Sequence, residues 1–578
     1  MGLAALGATV ALILAACGSS GSGTSSSTSP STGFNSAVNS VVNSSAHKGG
    51  TIIFDNSSGP DSTDAGNTYY AFNLNFVMLY ATPLTTYKSC PGTTCGNTIV
   101  PALATTLGVA SDGNKTWTYH LKSGVKFEDG TPVTSQDVKY AVERTFDRAV
   151  LANGPSYFAS LLAGNAASYK GPFKDKTGNL TSIDTPDSTT IVFHLNQPFA
   201  DFNYVVAFPQ TAPVPPAKDT GANYQNHPLS TGPYMFQSYQ LNKQYTLVPN
   251  PNWNPATNPQ VKQLASKIIV NLNVNAADID NRLLAGDIQV DQAGSGVQAA
   301  ARARILSSSS LKATSDNPVN AHMWFYYINT KVPPLNNIHC RMAIEYAANK
   351  GTLQTAYGGP YGGDIASTAM LPNILGFQKF DLYNALSKPG GDVAAAKQQL
   401  AACGHPSGFS LNIAYRSDRP REVNSSQALQ AALGAAGIRA TLKGFPASSY
   451  YGTFAGVPTY VHSHNLGLLA GGWGPDWPSA YGWGWALYDS KAIVSAGNAN
   501  ISELKDPNID KWFIAMEETT SQSQSNAYAN MINMQVMKDA ALLPAVYAKA
   551  LLYRPSSLTN VYVQPFYGMY NYGVIGTK

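Results

Sequence analysis

The run Trp117-Thr-Tyr-His-Leu-Lys-Ser-Gly-Val-Lys-Phe-Glu-Asp-Gly-Thr-Pro-Val-Thr-Ser-Gln-Asp-Val138 reads as one complete supersecondary unit. Trp117 to Leu121 alternates as a strand and Lys122-Ser-Gly124 turns it. Val125-Lys-Phe127 is a short strand again, closed by Glu128-Asp-Gly130. Thr134-Ser-Gln-Asp137 then has the form of a capping box, and Val138, Ala141, Val142 and Phe146 fall on one face of the helix it opens.

Outward from this unit, strand and helix patterns continue in both directions. Gly49 to Asp55 begins a strand, Tyr69 to Tyr80 is an apolar, aromatic helical segment, and Ile191 to Leu195, Thr246 to Val248 and Ile268 to Val274 are strands. Ala207 to Pro216 is a proline-rich connection, and Ile279 to Leu284 a helix closed by Gly286. Trp324 to Ile328 runs into Val332-Pro-Pro334, where the chain is expected to cross into a second lobe. Beyond it, Asn337 and Asp392 cap helices, Phe409 to Tyr415 alternates as a strand, and a helix through Leu433 is followed by the strand Ile438 to Leu442. This alternation predicts an α/β lobe. Asp510 to Met537 is expected to be one amphipathic helical stretch, and Leu542 to Leu552 returns as apolar chain.

A chain of 578 residues exceeds what one core holds, so about two or three domains are expected. Only 12% of residues are charged and the net charge is +4, without a Lys/Arg cluster, which argues against nucleic-acid binding and suits a secreted protein. Residues 1–16 contain an apolar run ending in Leu14-Ala-Ala-Cys17-Gly18, the form of a signal sequence. Small residues before a cysteine resemble a bacterial lipoprotein box with Cys17 as the lipidated residue; no Lys or Arg precedes it, so the start codon is expected upstream. Residues 17–47 lack Asp, Glu, Lys and Arg and are rich in Gly, Ser and Thr, so they read as a flexible tether. Setting Cys17 aside leaves four of the five cysteines, an even number for an oxidising compartment. Cys90 and Cys95 flank a tight turn, which leaves Cys340 to pair with Cys403.

The opening run resembles the signature of family 5 extracytoplasmic solute-binding proteins of ABC importers, which carry oligopeptides, dipeptides or nickel. Further blocks follow in that family's order: Gly49-Gly-Thr51, Ser230-Thr-Gly-Pro-Tyr234, Asn250-Pro-Asn-Trp253, Tyr327-Ile-Asn-Thr330 with Arg341-Met-Ala343, and Trp473-Gly-Pro-Asp-Trp477. The resemblance implies an α/β, two-lobed, type II periplasmic-binding-protein-like fold with an extra subdomain in the N-terminal lobe. The expected division is lobe I at 48–85, 217–326 and 544–578, its subdomain at 86–216, and lobe II at 327–543. It also implies a monomer that binds a short peptide between the lobes and presents it to the permease subunits, tethered by lipid at the extracytoplasmic face of the membrane. Nickel chelates, haem, opines and sugars travel on similar scaffolds.

The site expected from the residues is the Gly/Pro-rich stretch after the short strand Leu466 to Leu469. Trp473, Trp477, Trp483 and Trp485 surround one carboxylate, Asp476. An acid among flat aromatic walls suits an ammonium group, against the plainer reading that the tryptophans fill core. Resemblance assigns Asp476 to a peptide's α-ammonium and Trp473 and Trp477 to its walls; Ser479 stands where a second acid is common. Arg416, Arg419 and Arg421 are candidates for a peptide carboxylate, since guanidinium binds carboxylate in a bidentate manner. No hydrolase, zinc-protease, P-loop or dinucleotide motif occurs, so no catalytic residue, metal or cofactor is assigned. Ser502-Glu-Leu-Lys505 is a chance match at an apparent exposed helix start. His462 and His464, read as neighbours on one side of a strand, lack a third metal ligand. A secreted hydrolase using the same cleft is the weaker alternative.

Overall fold

The computed structural model describes residues 33–175 and 179–578; the expected signal sequence and Cys17 lie outside them. Three sheets of four or more strands organise the described chain. Lobe I is built on the order Val290–Asp291, Thr51–Asp55, Lys267–Asn271, Gln244–Pro249, Tyr234–Gln240, in which Thr51–Asp55 is parallel to both neighbours and the remaining pairs are antiparallel. Its subdomain is the antiparallel sheet Val109–Ser111, Thr116–His120, Thr190–His194, Ile183–Asp187. Lobe II carries six strands in the order Gly363–Ile365, Leu542–Lys549, Val319–Ile328, Leu466–Trp473, Ser410–Arg416, Arg439–Phe445.

The opening run folds nearly as expected. Thr116–His120 is a strand whose Trp117 and Tyr119 are buried, and the Asp137 carboxylate accepts both the Thr134 N–H and its hydroxyl at 2.8 Å, closing the box on the helix Ser135–Arg144. Val125-Lys-Phe127, however, forms only an isolated bridge between Lys126 and Pro132. In lobe II the run Leu466 to Ala470 is buried on both faces, which is why it reads as unbroken apolar chain. The strand does not end there but continues through Gly471 and Gly472 to Trp473. Rings from the adjacent strand crowd those glycines: a Cβ at Gly471 would meet Tyr327 Cε2 at 2.5 Å, and one at Gly472 would meet Trp324 Cε3 at 2.5 Å. Glycine here is a strand residue under an aromatic lid.

Four further expectations change. The whole of Val319–Ile328 and of Leu542–Lys549 pairs within the lobe II sheet, so the chain crosses about Asn317 and Ala550 rather than at 327 and 543. There the two passes run side by side, Ser315–Asp316 against Leu552–Tyr553, with the Ala550 N–H donating to Pro318 O at 3.3 Å. Residues 33–47 are not free tether. Ala37 and Val42 are buried, the Ala37 N–H donates to Asp316 Oδ1 at 2.9 Å, and Arg554 holds Gly33 O at 2.8 Å, so this uncharged run is fastened to the crossing. The long C-terminal helix is two, Pro507–Glu518 and Gln522–Lys538. His462 lies on the helix Pro458–Ser463, not on a strand, and its Nε2 is 2.6 Å from Glu503 Oε1.

Both disulfides form as paired from the sequence, Cys90–Cys95 and Cys340–Cys403. The second ties the helix Ile338–Ala347 to the end of Val393–Ala402 on one side of the lobe II sheet. Ser502 is buried in a turn and donates to Asn500 Oδ1 at 3.1 Å; the helix begins later, at Pro507.

Candidate functional site

Asp476 stands just beyond the end of the strand Leu466–Trp473, where lobe II meets lobe I. Across the cleft the Tyr69 hydroxyl donates to Asp476 Oδ1, the Tyr157 hydroxyl bonds the same carboxylate, and the two phenol oxygens are 3.3 Å apart. Tyr69 is placed by Asp61, whose Oδ2 accepts the Tyr69 and Tyr70 N–H groups at 2.5 and 3.2 Å. Tyr157 opens the helix Tyr157–Leu161 of the subdomain, its ring against Phe208 and edge-on to Trp477. Burial pushes the Asp476 pKa above the ordinary carboxylate value, with the two phenols working against that rise. Burial and the facing carboxylate raise both tyrosine pKa values in turn, so both phenols stay protonated donors.

A cavity of about 440 Å³ opens beside this acid, lined among others by Tyr69, Trp473, Asn320, His322 and Tyr567. A second of about 350 Å³ shares Asn320, His322 and Tyr567 and reaches Arg302, Arg421 and Lys549. Lys549 is 3.1 Å from Asp364, whereas Arg302 and Arg421 have no side-chain partner among the described residues. One cleft therefore runs from an acidic end to a basic end. Such polarity matches a zwitterion whose two charges lie some distance apart.

The family description "Bacterial extracellular solute-binding proteins, family 5 Middle" matches residues 98–494. The chain belongs to this family. Family 5 proteins are the substrate-binding components of ABC importers, and this member is similar to the probable D,D-dipeptide-binding periplasmic protein DdpA of Escherichia coli, 26% identical over 75% of this chain and 76% of that protein. Di/tripeptide-binding protein 1 of Pseudomonas aeruginosa is 24% identical over 82% of this chain and 84% of its own. Among solved structures, clavulanic acid biosynthesis oligopeptide binding protein 2 superposes with a TM-score of 0.89 at 36% identity, covering 95% of this chain and 99% of that one. The two-lobed fold expected from the sequence is thus shared along nearly the whole length, and these relatives are binding proteins. Among the described residues no helix is long and apolar enough to cross a membrane.

Of the residues this family 5 protein was expected to use, Asp476 and Trp473 line the cleft. Trp477 does not. It is fully buried behind Asp476, and its indole N–H donates to Asp201 Oδ2 at 2.6 Å. Ser479 also donates to Asp201 and, as N-cap of the helix Ala480–Tyr488, accepts the Gly482 N–H at 3.0 Å. Asp201, from lobe I, thus holds the Trp block through both Trp477 and Ser479. Trp483 and Trp485 sit on the helix, away from the cavity. Arg416 is bound to Glu422, Nε to Oε1 at 2.8 Å, beside the rings of Trp324 and Tyr451. Arg419 occupies the N-cap position of the helix Pro420–Ala436 without a side-chain capping bond and does not line the cleft; only Arg421 of the three reaches it. Tyr69, Tyr157, Asp201, Asn320 and His322 were missed. Each is remote in sequence from the Trp block, and the one local signal was the pair Tyr69-Tyr70 preceding an apolar helix.

Proposed function

We propose that this family 5 protein captures short peptides with a free N-terminus between its lobes and passes them to a membrane permease. The observation that carries the reading is the cleft with Asp476 at one end and unpaired Arg302 and Arg421 at the other. A peptide's ammonium would replace or share the phenol hydrogen bonds on Asp476, and its carboxylate would face the guanidinium groups. The relatives whose names specify dipeptides and tripeptides support the same class. Family 5 relatives are binding proteins, which supports retention without turnover as the expected behaviour. A tripeptide library should raise the melting temperature without yielding product, and mass spectrometry of material co-purified with native protein should find peptides. Peptide cleavage, or a bound molecule with no amine, would overturn the reading.

Two further outcomes are expected. Arg421→Ala should weaken a peptide about tenfold, since a charge-assisted hydrogen bond contributes roughly 1.5 to 3 kcal/mol and Arg302 remains. In calorimetry, amidating the peptide's C-terminus should then cost the variant less than it costs wild-type protein, the remainder being the share of Arg302; full additivity would place the carboxylate elsewhere. At the membrane, a lipid on Cys17 holds the protein at the extracytoplasmic face. Cys17→Ser should move it into the soluble fraction, and retention of the processed variant would refute the anchor.

A further inference from the structure

The cleft wall between the acidic and basic ends is made by Asn320 and His322, the two residues that with Ala71 and Tyr567 border both cavities. Their position is unusual for a strand. In Val319–Ile328 the pairing with Leu542–Lys549 slips between Val319 and Met323, and Ala321 adopts φ 55°, a left-handed conformation that a residue with a Cβ disfavours. A bulge of this kind re-aims side chains and is commonly found beside functional sites.

Both side chains carry a buried polar atom without a hydrogen-bond partner, Asn320 Oδ1 and His322 Nε2. Leaving such atoms unpaired is costly, and two from one bulge at one place in the cleft point to a ligand that satisfies them. Space has been kept for the imidazole, since a Cβ on Gly472 would lie 2.6 Å from His322 Nε2. The ring rests edge-on against Trp324 at 4.5 Å, and burial, with the positive charge of Arg416 adding to it, brings its pKa down to about 4. At neutral pH the imidazole is therefore uncharged and offers one N–H.

We infer that Asn320 and His322 form a clamp that reads the first peptide bond of the ligand, Asn320 Oδ1 accepting its N–H and His322 Nε2–H donating to its carbonyl oxygen. The pairing follows from chemistry: one neutral acceptor beside one neutral donor matches an amide, which displays one of each, and does not match a carboxylate, which only accepts. Its place follows from the cleft, because the clamp is the next wall past the ammonium seat on the way to Arg302 and Arg421. The inference rests on the peptide reading given above and makes that reading specific for an amide, not merely for two separated charges.

Trialanine and its depsipeptide analogue, with the first amide N–H replaced by an ester oxygen, test the clamp on the full chain by calorimetry at neutral pH. The ester should bind roughly 10- to 100-fold more weakly, as expected when a buried acceptor is left unpaired. Asn320→Ala should lower trialanine affinity by a similar factor and abolish the difference between amide and ester. His322→Gln, which keeps an N–H near the same place, should retain more affinity than His322→Ala. The ester comparison uses wild-type protein, so it stands even if a variant at the bulge fails to fold. Equal binding of amide and ester, with N-acetyl-trialanine still rejected, overturns the clamp and leaves the peptide reading intact. Failure of trialanine to bind at all defeats the peptide reading, and the clamp with it.

Discussion

Asp476→Asn should weaken a short peptide by about 3 to 5 kcal/mol, roughly two to four orders of magnitude in Kd. An exposed ion pair would lose no more than about 1 kcal/mol, but this carboxylate is desolvated and already engaged by two phenols from the opposite lobe. A ligand ammonium placed there and deprived of its counter-charge stays buried and unpaired. N-acetylating the peptide should cost wild-type protein a similar amount and the variant little more, because both changes remove one pair. Acid should act like the mutation. A carboxyl with a raised pKa is charged, and able to hold an ammonium, above that raised value, so affinity should fall as pH drops through it, at higher pH than for an ordinary aspartate. The stability of the empty protein should move the other way. The folded state holds the Asp476 proton to higher pH than the unfolded chain does, so the charge opposes folding above the raised pKa and ceases to do so below the unfolded value. At neutral pH Asp476→Asn should therefore leave the ligand-free melting temperature unchanged or raise it. Additive losses from mutation and acetylation would remove the ammonium assignment, and a marked drop in the ligand-free melting temperature would show that the Asp476 charge does not oppose folding.

What could be read from the chain was whatever is local. Thr134 and Asp137 are three residues apart, so their mutual capping is written in a short run, and the buried stripe of Cys340, Ala343, Ile344 and Ala347 follows from helical spacing alone. The same locality made Asp476 visible and its surroundings misleading. Four tryptophans close in sequence look like walls of one pocket, yet the helix that starts at Ala480 carries Trp483 and Trp485 elsewhere and Trp477 packs backwards onto Asp201. The partners that define the acid come from Tyr69 and Tyr157, more than three hundred residues away, and no local pattern encodes a contact across a cleft. Arg416 misled for a related reason: its neighbour Glu422, six positions on, already claims it. The uncharged run at 33–47 shows the limit of composition. A few apolar anchors such as Ala37 and Val42 suffice to dock a segment that otherwise has the make-up of a linker.

Arg144→Met should cost the protein about 3 to 5 kcal/mol, an effect on folding that no sequence motif announces. The guanidinium is completely buried at the end of the capped helix, with Nη2 2.6 Å from Asp64 Oδ2 and Nε 2.7 Å from Asp219 Oδ2, and it lies over the ring of Tyr224 at 4.8 Å. Methionine would fill much of the same space while leaving two carboxylates facing each other in a dry site. Two uncompensated acids are worse than one lost contact, so the triple variant Arg144→Met, Asp64→Asn, Asp219→Asn should regain most of the loss in urea denaturation. The site would feel the single change as well. Asp64 Oδ1 accepts the Gly66 N–H at 2.9 Å and so shapes the turn Ala65–Asn67, which leads directly into Tyr69 and its bond to Asp476. Arg144→Met should accordingly weaken peptide binding even below the temperature at which it unfolds. If stability falls but affinity holds, Asp61 alone suffices to place Tyr69; if the single variant loses less than about 1 kcal/mol, as exposed charges do, the two carboxylates reach water and the buried triad is not what secures the subdomain.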